Sequence, residues 1–443
     1  MRESNYNMYF DTFDGKKLAF NSVTCALAIV DERYDELIQN IGNITHENCP
    51  ERLREIFFSA MEGNFIVPDE TDELMDLLVK RNCQKYSTEH LGLTIAPTLA
   101  CNFKCIYCFE TSKPGVMSDE VIDRLVNFIR LKSKNLNHLD ITWYGGEPLL
   151  CPDIINRLSE AFIDICDSKG IAYGAYMITN GSLLNDVIID NMLKYRITGV
   201  QITLDGPPEI HDSRRINKLG ESTFDVIVSN INSLLATGKI DVALRINVDK
   251  TNEYALEELL GILSERLISK NVKISFGQVT AYTDACKSVE STCFDNKEFA
   301  INMIKYYESL KRYGFDEYNE FPYPYSKYNY CCAEILQALV LDHEGNVYKC
   351  WNQVGDVPSS IGNLMDENFD LTNYKHGKWL ERDIVTLGEC STCKFLPVCM
   401  GGCPYNDVVL NKGKSCDVIK YNVKETMLKY YDSFIVNDDI DNC

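Results

Sequence analysis

The chain has 443 residues, 45% of them hydrophobic and 25% charged, with only 25 Gly and 13 Pro; it is long enough for two or three domains and too apolar for wholesale disorder. Its 65 Asp and Glu outweigh 44 Lys and Arg, and a formal charge of −21 argues against nucleic acid as a partner, which needs a basic footprint. The acidity is spread along the chain, as on a solvated surface.

The start, MRESNYNMYFDTFDGKK, shows no basic end followed by an apolar run, and no stretch reaches the roughly 18 apolar residues of a membrane span. A cytoplasmic protein with no membrane partner is expected. Residues 1–90 read as a unit of their own. YNMYFDT, KKLAFNS and TCALAIVDE alternate or run apolar, with DGKK as a turn, and helical periodicity follows at 31–41, 50–62 and 70–82. Three short strands and then three helices make an α+β domain. From Leu91 the pattern changes to LGLTIAPT, HLDITWYGG, GAYMITNG, GVQITLDG, DVALRINVD and NVKISFGQV, separated by amphipathic stretches such as SDEVIDRLVNFIRLKSK. Six βα units imply a parallel sheet, which right-handed crossovers can curl into a partial TIM-like (β/α)6 barrel over 91–315 with reactive residues at the C-terminal strand ends. After about residue 315 the regularity fails. YNEFPYPYSKYNYCC leads into a Cys- and Gly-rich region, expected as a loop-rich, metal-held module, and VIKYNVKETMLKYYDSFIV closes the 316–443 segment as a helix.

Nineteen cysteines without an export signal point to ligation rather than disulfides. Three of them, Cys101, Cys105 and Cys108 in CNFKCIYC, follow the first barrel strand. The spacing C-x3-C-x2-C can wrap one face of a cubane cluster, supplying three of its four irons and leaving one for a non-protein ligand. A zinc site would want a fourth close ligand, and none follows in FETSKPGVMSD. Phe103 and Tyr107 read as apolar cover between the thiols. Most of the scattered cysteines, Cys25, Cys49, Cys83, Cys151, Cys166, Cys286, Cys293, Cys331 and Cys443, read as small buried hydrophobes.

CNFKCIYC resembles the cluster loop of the radical S-adenosylmethionine (SAM) enzymes, including the aromatic residue before the last cysteine. Further short motifs follow in that family's order on successive strand ends. YGGEP (Gly145, Gly146, Glu147, Pro148) resembles the stretch whose backbone and glutamate hold the methionine amino group. ITNG resembles the ribose-side motif, with Asn180 as the contact. In TLDGPPEIHDSRR, Asp205 and Gly206 match positions near SAM, and Arg215 is a partner for its carboxylate. LRINVD brings Arg245 and Asn247 to the same mouth. The resemblance implies a SAM-binding [4Fe-4S] cluster on Cys101, Cys105 and Cys108, with SAM as the ligand of its open iron.

Downstream, CAEILQALVLDHEGNVYKC, CSTCKFLPVCMGGC and the lone Cys416 resemble the SPASM domain of peptide-modifying radical SAM enzymes. By that family's interleaved ligation, Cys390, Cys393, Cys399 and Cys416 would hold one auxiliary [4Fe-4S] cluster, and Cys332, Cys350 and Cys403 another, making three clusters in all. The fourth ligand of the second set could be Cys331, Cys286, Cys293 or nothing. Residues 1–90 resemble the winged-helix leader-recognition domain of ribosomal-peptide maturases, which captures a precursor by strand addition. The resemblance therefore implies a peptide maturase served by an external reductant such as flavodoxin or ferredoxin. Its 5'-deoxyadenosyl radical would abstract a hydrogen from a leader-bearing precursor and so install a crosslink, most readily a thioether from Cys. Formylglycine formation of the anaerobic sulfatase type, or a carbon–carbon crosslink, are the alternatives.

Overall fold

The structure, a computed structural model, describes residues 1–440, so Cys443 lies outside the described residues. It divides into two compact units, neither of them one continuous segment. The first joins Met1–Lys85, Phe321–Cys331 and the chain from Glu381 onward; the second joins Tyr86–Glu320 and Cys332–Leu380.

In the first unit, β1 (Arg2–Glu3), β2 (Asn7–Asp11), β3 (Lys17–Asn21) and β4 (Leu27–Val30) precede α1 (Glu32–Asn40), α2 (Glu51–Glu62), β5 (Ile66–Val67) and α3 (Glu73–Lys85). β2, β3 and β4 form an antiparallel meander, and β1 pairs with β5. The order of three strands and three helices is the one the periodicity predicts; the two-residue β1 and β5 are too short to leave a pattern. Strand alternation sets the two faces of this sheet against different core clusters. Ala19 turns toward Tyr34, Leu37, Leu53 and Phe57 of α1 and α2. Leu18 and Phe20, on the other face, pack with Met8 against Val423, Met427, Leu428 and Tyr431, whose spacing marks one side of a helix.

The second unit runs through β6 (His90–Ile95), β7 (Phe103–Cys105), α4 (Asp119–Lys132), β8 (His138–Trp143), α5 (Pro152–Lys169), β9 (Ala172–Thr179), α6 (Asp186–Lys194), β10 (Ile197–Thr203), α7 (Pro208–Arg214), β11 (Arg215–Asn217), α8 (Phe224–Thr237), β12 (Asp241–Val248), α9 (Leu256–Arg266), β13 (Lys273–Gln278) and α10 (Asn296–Arg312). β6, β8, β9, β10, β12 and β13 are parallel and neighbour one another in chain order. That sequential order is the (β/α)6 half of a TIM-like barrel, in contrast to a doubly wound sheet, whose order reverses. Leu91, Leu93 and Ile95 share a face with Leu139, Ile141 and Trp143, all at most 2% exposed. Each such side chain contributes about 1.5–3 kcal/mol by leaving water. The alternate residues of these strands form a more open, polar face.

The sheet does not stop at β6. β14 (Ala338–Leu341) adds to it in parallel, Ala338 opposite Gly92 and Leu341 opposite Ile95. β15 (Asn346–Tyr348) and β16 (Gly362–Asn363) continue it antiparallel to nine strands, and α11 (Tyr374–Leu380) ends the unit. The run QALVL, read from sequence as part of a loop-rich module, is thus a core strand. Buried Lys349 fixes the turn before it, donating to the carbonyls of Ile335 at 2.5 Å and Ala338 at 2.6 Å. The chain then returns to the first unit with α12 (Leu396–Cys399), α13 (Pro404–Val408) and α14 (Ile419–Ile440), the expected closing helix. Among the described residues no helix is long and apolar enough to cross a membrane.

Because β14 shares the barrel's sheet, Leu339→Ala, which empties a buried position, should lower the stability of the barrel itself by about 2–5 kcal/mol. Denaturant unfolding followed through barrel tryptophan Trp143 checks this; an unchanged barrel transition would mean that residues 332–380 fold separately.

Candidate active site

The three clustered cysteines lie on the loop that leaves β6, and two separate braces hold that loop. One is a short ribbon in which β7 pairs antiparallel with β11, setting Arg215 opposite Cys105 and Asn217 opposite Phe103. The other is the YGGEP loop. Gly146 N donates to Thr98 O at 3.2 Å and Glu147 N to Ala100 O at 2.9 Å, so two backbones run side by side just before Cys101. A Cβ on Gly146 would lie 2.2 Å from Ala100 O, and one on Gly145, whose φ is +119°, 2.5 Å from Thr98 O; only glycine fits at either position.

Burial pushes the thiols of Cys101 and Cys108 up to about 12 and raises Cys105 as well, the last against the opposing charge of Arg215. Such thiols keep their protons until a metal displaces them. Phe103 N donates to Cys101 Sγ at 3.4 Å, the kind of N–H···S contact that tunes cluster ligands.

Tyr107 is a correction to the sequence reading. It is a hydrogen-bond hub rather than apolar cover: its hydroxyl donates to Asp205 Oδ2 and accepts from Arg215 Nη1 at 2.8 Å and Asn247 Nδ2 at 3.2 Å. Asp205 is fully buried, receives Asn247 N at 3.2 Å, and donates through its own N–H to His211 Nδ1 at 3.4 Å. His211, pulled down to about 3 by burial and by Arg215, is therefore a neutral acceptor at Nδ1. Arg214, which the sequence reading passed over, forms a buried two-pronged pair with Asp249 at 3.0 and 3.1 Å and stands 5.4 Å from the Tyr107 ring centre. Arg245 bonds Asn247 at 2.9 Å and lies over Gly277, where a Cβ would meet its guanidinium at 2.2 Å. Two donors of this network are unsatisfied: the Nε atoms of Arg215 and Arg214 are buried without a hydrogen-bond partner. A buried guanidinium with a spare donor is suited to a ligand carboxylate.

Glu147, 1% exposed, already accepts three hydrogen bonds: Leu149 N at 3.1 Å, Thr179 Oγ1 at 2.6 Å and Asn180 N at 2.8 Å. A carboxylate has about four acceptor positions, so roughly one remains for an ammonium group. Pro148 opens the short helical turn that Glu147 caps. The Asn180 side chain is engaged by Asn102 at 2.8 Å and by Ser182 at 2.6 Å, which ties ITNG to the cluster loop. Beyond Cys108, Glu110 is lifted to about 7 by burial and has one oxygen without a partner; the Tyr144 ring lies 4.7 Å from that of Trp351, the neighbour of Cys350, tilted by 40°.

In the first unit, Cys390, Cys393, Cys399 and Cys416 line one cavity of about 230 Å³. They are the four that the SPASM pattern groups together. Lys414 and Lys420 line it too, Lys420 Nζ lying 3.6 Å from Cys416 Sγ, and Asp417 N donates to Cys399 Sγ at 3.4 Å. Four thiols with cations and an N–H donor at the sulfurs fit an anionic four-iron cluster. The MGG turn shapes one side. Met400, Gly401 and Gly402 are all left-handed, and Arg382 holds them by donating to the Met400 and Gly401 carbonyls at 3.2 and 2.9 Å. Of the second set, Cys332 and Cys350 belong to the second unit and Cys403 to the first. Cys286 and Cys293, two of its possible completing ligands, donate to the carbonyls of Thr283 and Val289, each at 3.3 Å, within an apolar cluster that includes Val279 and Val289.

The family model of the Radical SAM superfamily matches residues 95–263, the stretch that holds the cluster loop, YGGEP, ITNG, Asp205, Arg215 and Arg245. This stretch is a radical SAM domain. The chain around it is 24% identical over 347 residues to the serine-type anaerobic sulfatase-maturating enzyme of Bacteroides thetaiotaomicron, covering 69% of this chain and 80% of that one. It is 23% identical over 322 residues to the mycofactocin maturase MftC of Mycobacterium tuberculosis, covering 70% and 77%. Among solved structures, native anSMEcpe with bound AdoMet superposes with a TM-score of 0.61 at 19% identity, over 80% of this chain and 99% of that one. Streptococcus suis SuiB bound to precursor peptide SuiA does so at 0.54 and 15%, over 94% and 97%. The protein is a radical SAM enzyme, similar to maturases of peptides and proteins.

The radical SAM domain's polar hub gives a direct test. Tyr107→Phe removes one of the two donors to Asp205 and the acceptor of Arg215 Nη1, a loss of about 1–3 kcal/mol. SAM binding to the reconstituted enzyme, measured by equilibrium dialysis, should weaken roughly 5- to 150-fold, with iron content unchanged.

Proposed function

We propose that this enzyme is a peptide maturase that binds a leader-bearing precursor through its N-terminal sheet and crosslinks it, most readily by a thioether from Cys. Cys101, Cys105 and Cys108 would hold a [4Fe-4S] cluster that, when bound together with SAM, supplies the electron for reductive SAM cleavage. The chain's own residues bind and orient: Arg215 faces the SAM carboxylate, Glu147 and the Gly145–Gly146 backbone its amino group, Asn180 its ribose side, and Asp205 and Arg245 complete the mouth. An external one-electron donor such as flavodoxin or ferredoxin would reduce the clusters.

The observation that carries the peptide reading is the N-terminal sheet. One of its two edge strands, β4, leaves Leu27–Val30 without a further strand in that sheet and bears Ile29, 55% exposed. Such an edge can accept an extended peptide as a fourth strand, with backbone bonds for affinity and alternate side chains for specificity. The alignment with SuiB spans 94% of this chain, whereas that with anSMEcpe spans 80%. Thioether formation takes a hydrogen atom from carbon, a proton from the thiol and one further electron. The four-cysteine cavity is a place where the chain could hold the acceptor of that electron.

Formylglycine formation is the second reading, favoured by the relatives among sulfatase-maturating enzymes of B. thetaiotaomicron and, at 26% identity over 344 residues, Clostridium perfringens. Carbon–carbon crosslinking is a third product open to the same machinery.

Mass spectrometry separates these outcomes. With SAM and a strong reductant, a Cys-containing peptide encoded beside the gene should lose two hydrogens and one free thiol; conversion of a sulfatase-motif cysteine to an aldehyde, with loss of sulfur, would favour the second reading. The same peptide's leader should slow amide exchange at residues 27–30, and unchanged exchange there would remove strand addition. Deleting residues 1–85 is a poor substitute, because Leu18 and Phe20 share a core with α14.

A further inference from the structure

The opposite end of the sheet carries a second set of metal-ligand side chains, free of cysteine. In-register parallel pairing of β6 and β8 sets His90 beside His138, and Asp140, two residues on, projects from the same face. His90 Nε2 lies 2.7 Å from Asp140 Oδ2 and His138 Nε2 2.9 Å from Oδ1, with the two imidazole centroids 5.0 Å apart. Two imidazole nitrogens and a carboxylate oxygen thus converge within 4.8 Å of one another.

The surroundings leave room for a guest. Asp140 is flanked in register by Gly92 on β6 and Gly174 on β9. A Cβ on Gly174 would stand 2.4 Å from Asp140 Oδ1 and 3.8 Å from His138 Nε2, so glycine there keeps open the space beside the donors. All three side chains are about half exposed, which gives an ion a way in.

We propose that His90, His138 and Asp140 form a binding site for a divalent transition ion of the zinc class. Two histidines and one carboxylate are a donor set such ions favour, and three protein ligands leave a fourth position for water. An ion pair alone is the weaker account of this arrangement. Exposed pairs contribute at most about 1 kcal/mol, and two imidazoles aimed through the same nitrogen at one carboxylate gain nothing from the glycine beside them.

The site is distinct from the cysteine sites. Asp140 precedes Trp143 by three residues and His138 by five, so the ligands stand roughly 10–17 Å from the YGGEP end of β8. Register carries their face across β9 and β10 to Arg245 on β12, so the ion would lie on the same polar wall as the SAM mouth, at its far end.

Elemental analysis of the cluster-loaded full chain, dialysed against buffered free zinc, tests the assignment. Wild type should retain one zinc per chain more than His138→Ala and Asp140→Asn, with equal iron in all three. Gly174→Ala, which keeps every ligand but fills the space, should bind that zinc more weakly. Equal zinc in wild type and both ligand variants would overturn the proposal and leave only a surface ion pair; variants that lose iron as well are replaced in the comparison by Gly174→Ala, whose unaltered zinc affinity would count equally against it.

Discussion

The mouth of the barrel depends on one local interaction, the in-register pairing of β7 with β11. Each is three residues long, and together they put Arg215 directly across from Cys105. From that fixed point Tyr107 reaches Asp205 at the end of β10 and Asn247 on β12, so that a loop leaving the first strand is tied to the ends of the fourth and fifth. Buried polar groups hold such a geometry because losing one partner leaves the other unsatisfied in a low-dielectric setting, which costs about 1–3 kcal/mol each time. The Nε donors of Arg215 and Arg214 are the two left without a hydrogen-bond partner in this network.

The repeating parts of this architecture were legible in the sequence. Each barrel strand alternates or runs apolar, and Leu139, Ile141 and Trp143 bury as that alternation predicts. The resemblance to the SPASM pattern implies a grouping of Cys390, Cys393, Cys399 and Cys416, and these four line one cavity. What escaped was pairing. Periodicity reports that a segment has a buried face without naming its partner, so neither the β7–β11 ribbon nor the addition of β14 to β6 could be read. Tyr107 escaped for a related reason: an aromatic ring between cysteines suggests cover, and its hydroxyl gains meaning only once Asp205, Arg215 and Asn247 converge on it. Lys414 and Lys420 were similarly invisible, being ordinary lysines until the chain folds them beside Cys416.

Division into two discontinuous units also bears on function. The first 85 residues share a core with α14, and the same unit holds the four-cysteine cavity. Peptide capture and cluster binding by Cys390, Cys393, Cys399 and Cys416 are thus properties of one folded body under the reading proposed here, while SAM chemistry belongs to the other. Such an arrangement suits a maturase in which the substrate is held by one part and acted on by another.

Electron paramagnetic resonance of the anaerobically reconstituted, reduced enzyme tests most directly whether the 101–108 loop binds the SAM-linked cluster. If it does, adding SAM shifts one cluster signal in the wild type; replacing Cys101, Cys105 and Cys108 together by Ala removes about four of about twelve irons, abolishes that shift and ends SAM cleavage. A triple variant that still shows the SAM-dependent shift, or still cleaves SAM, would contradict the assignment on which the proposed chemistry rests.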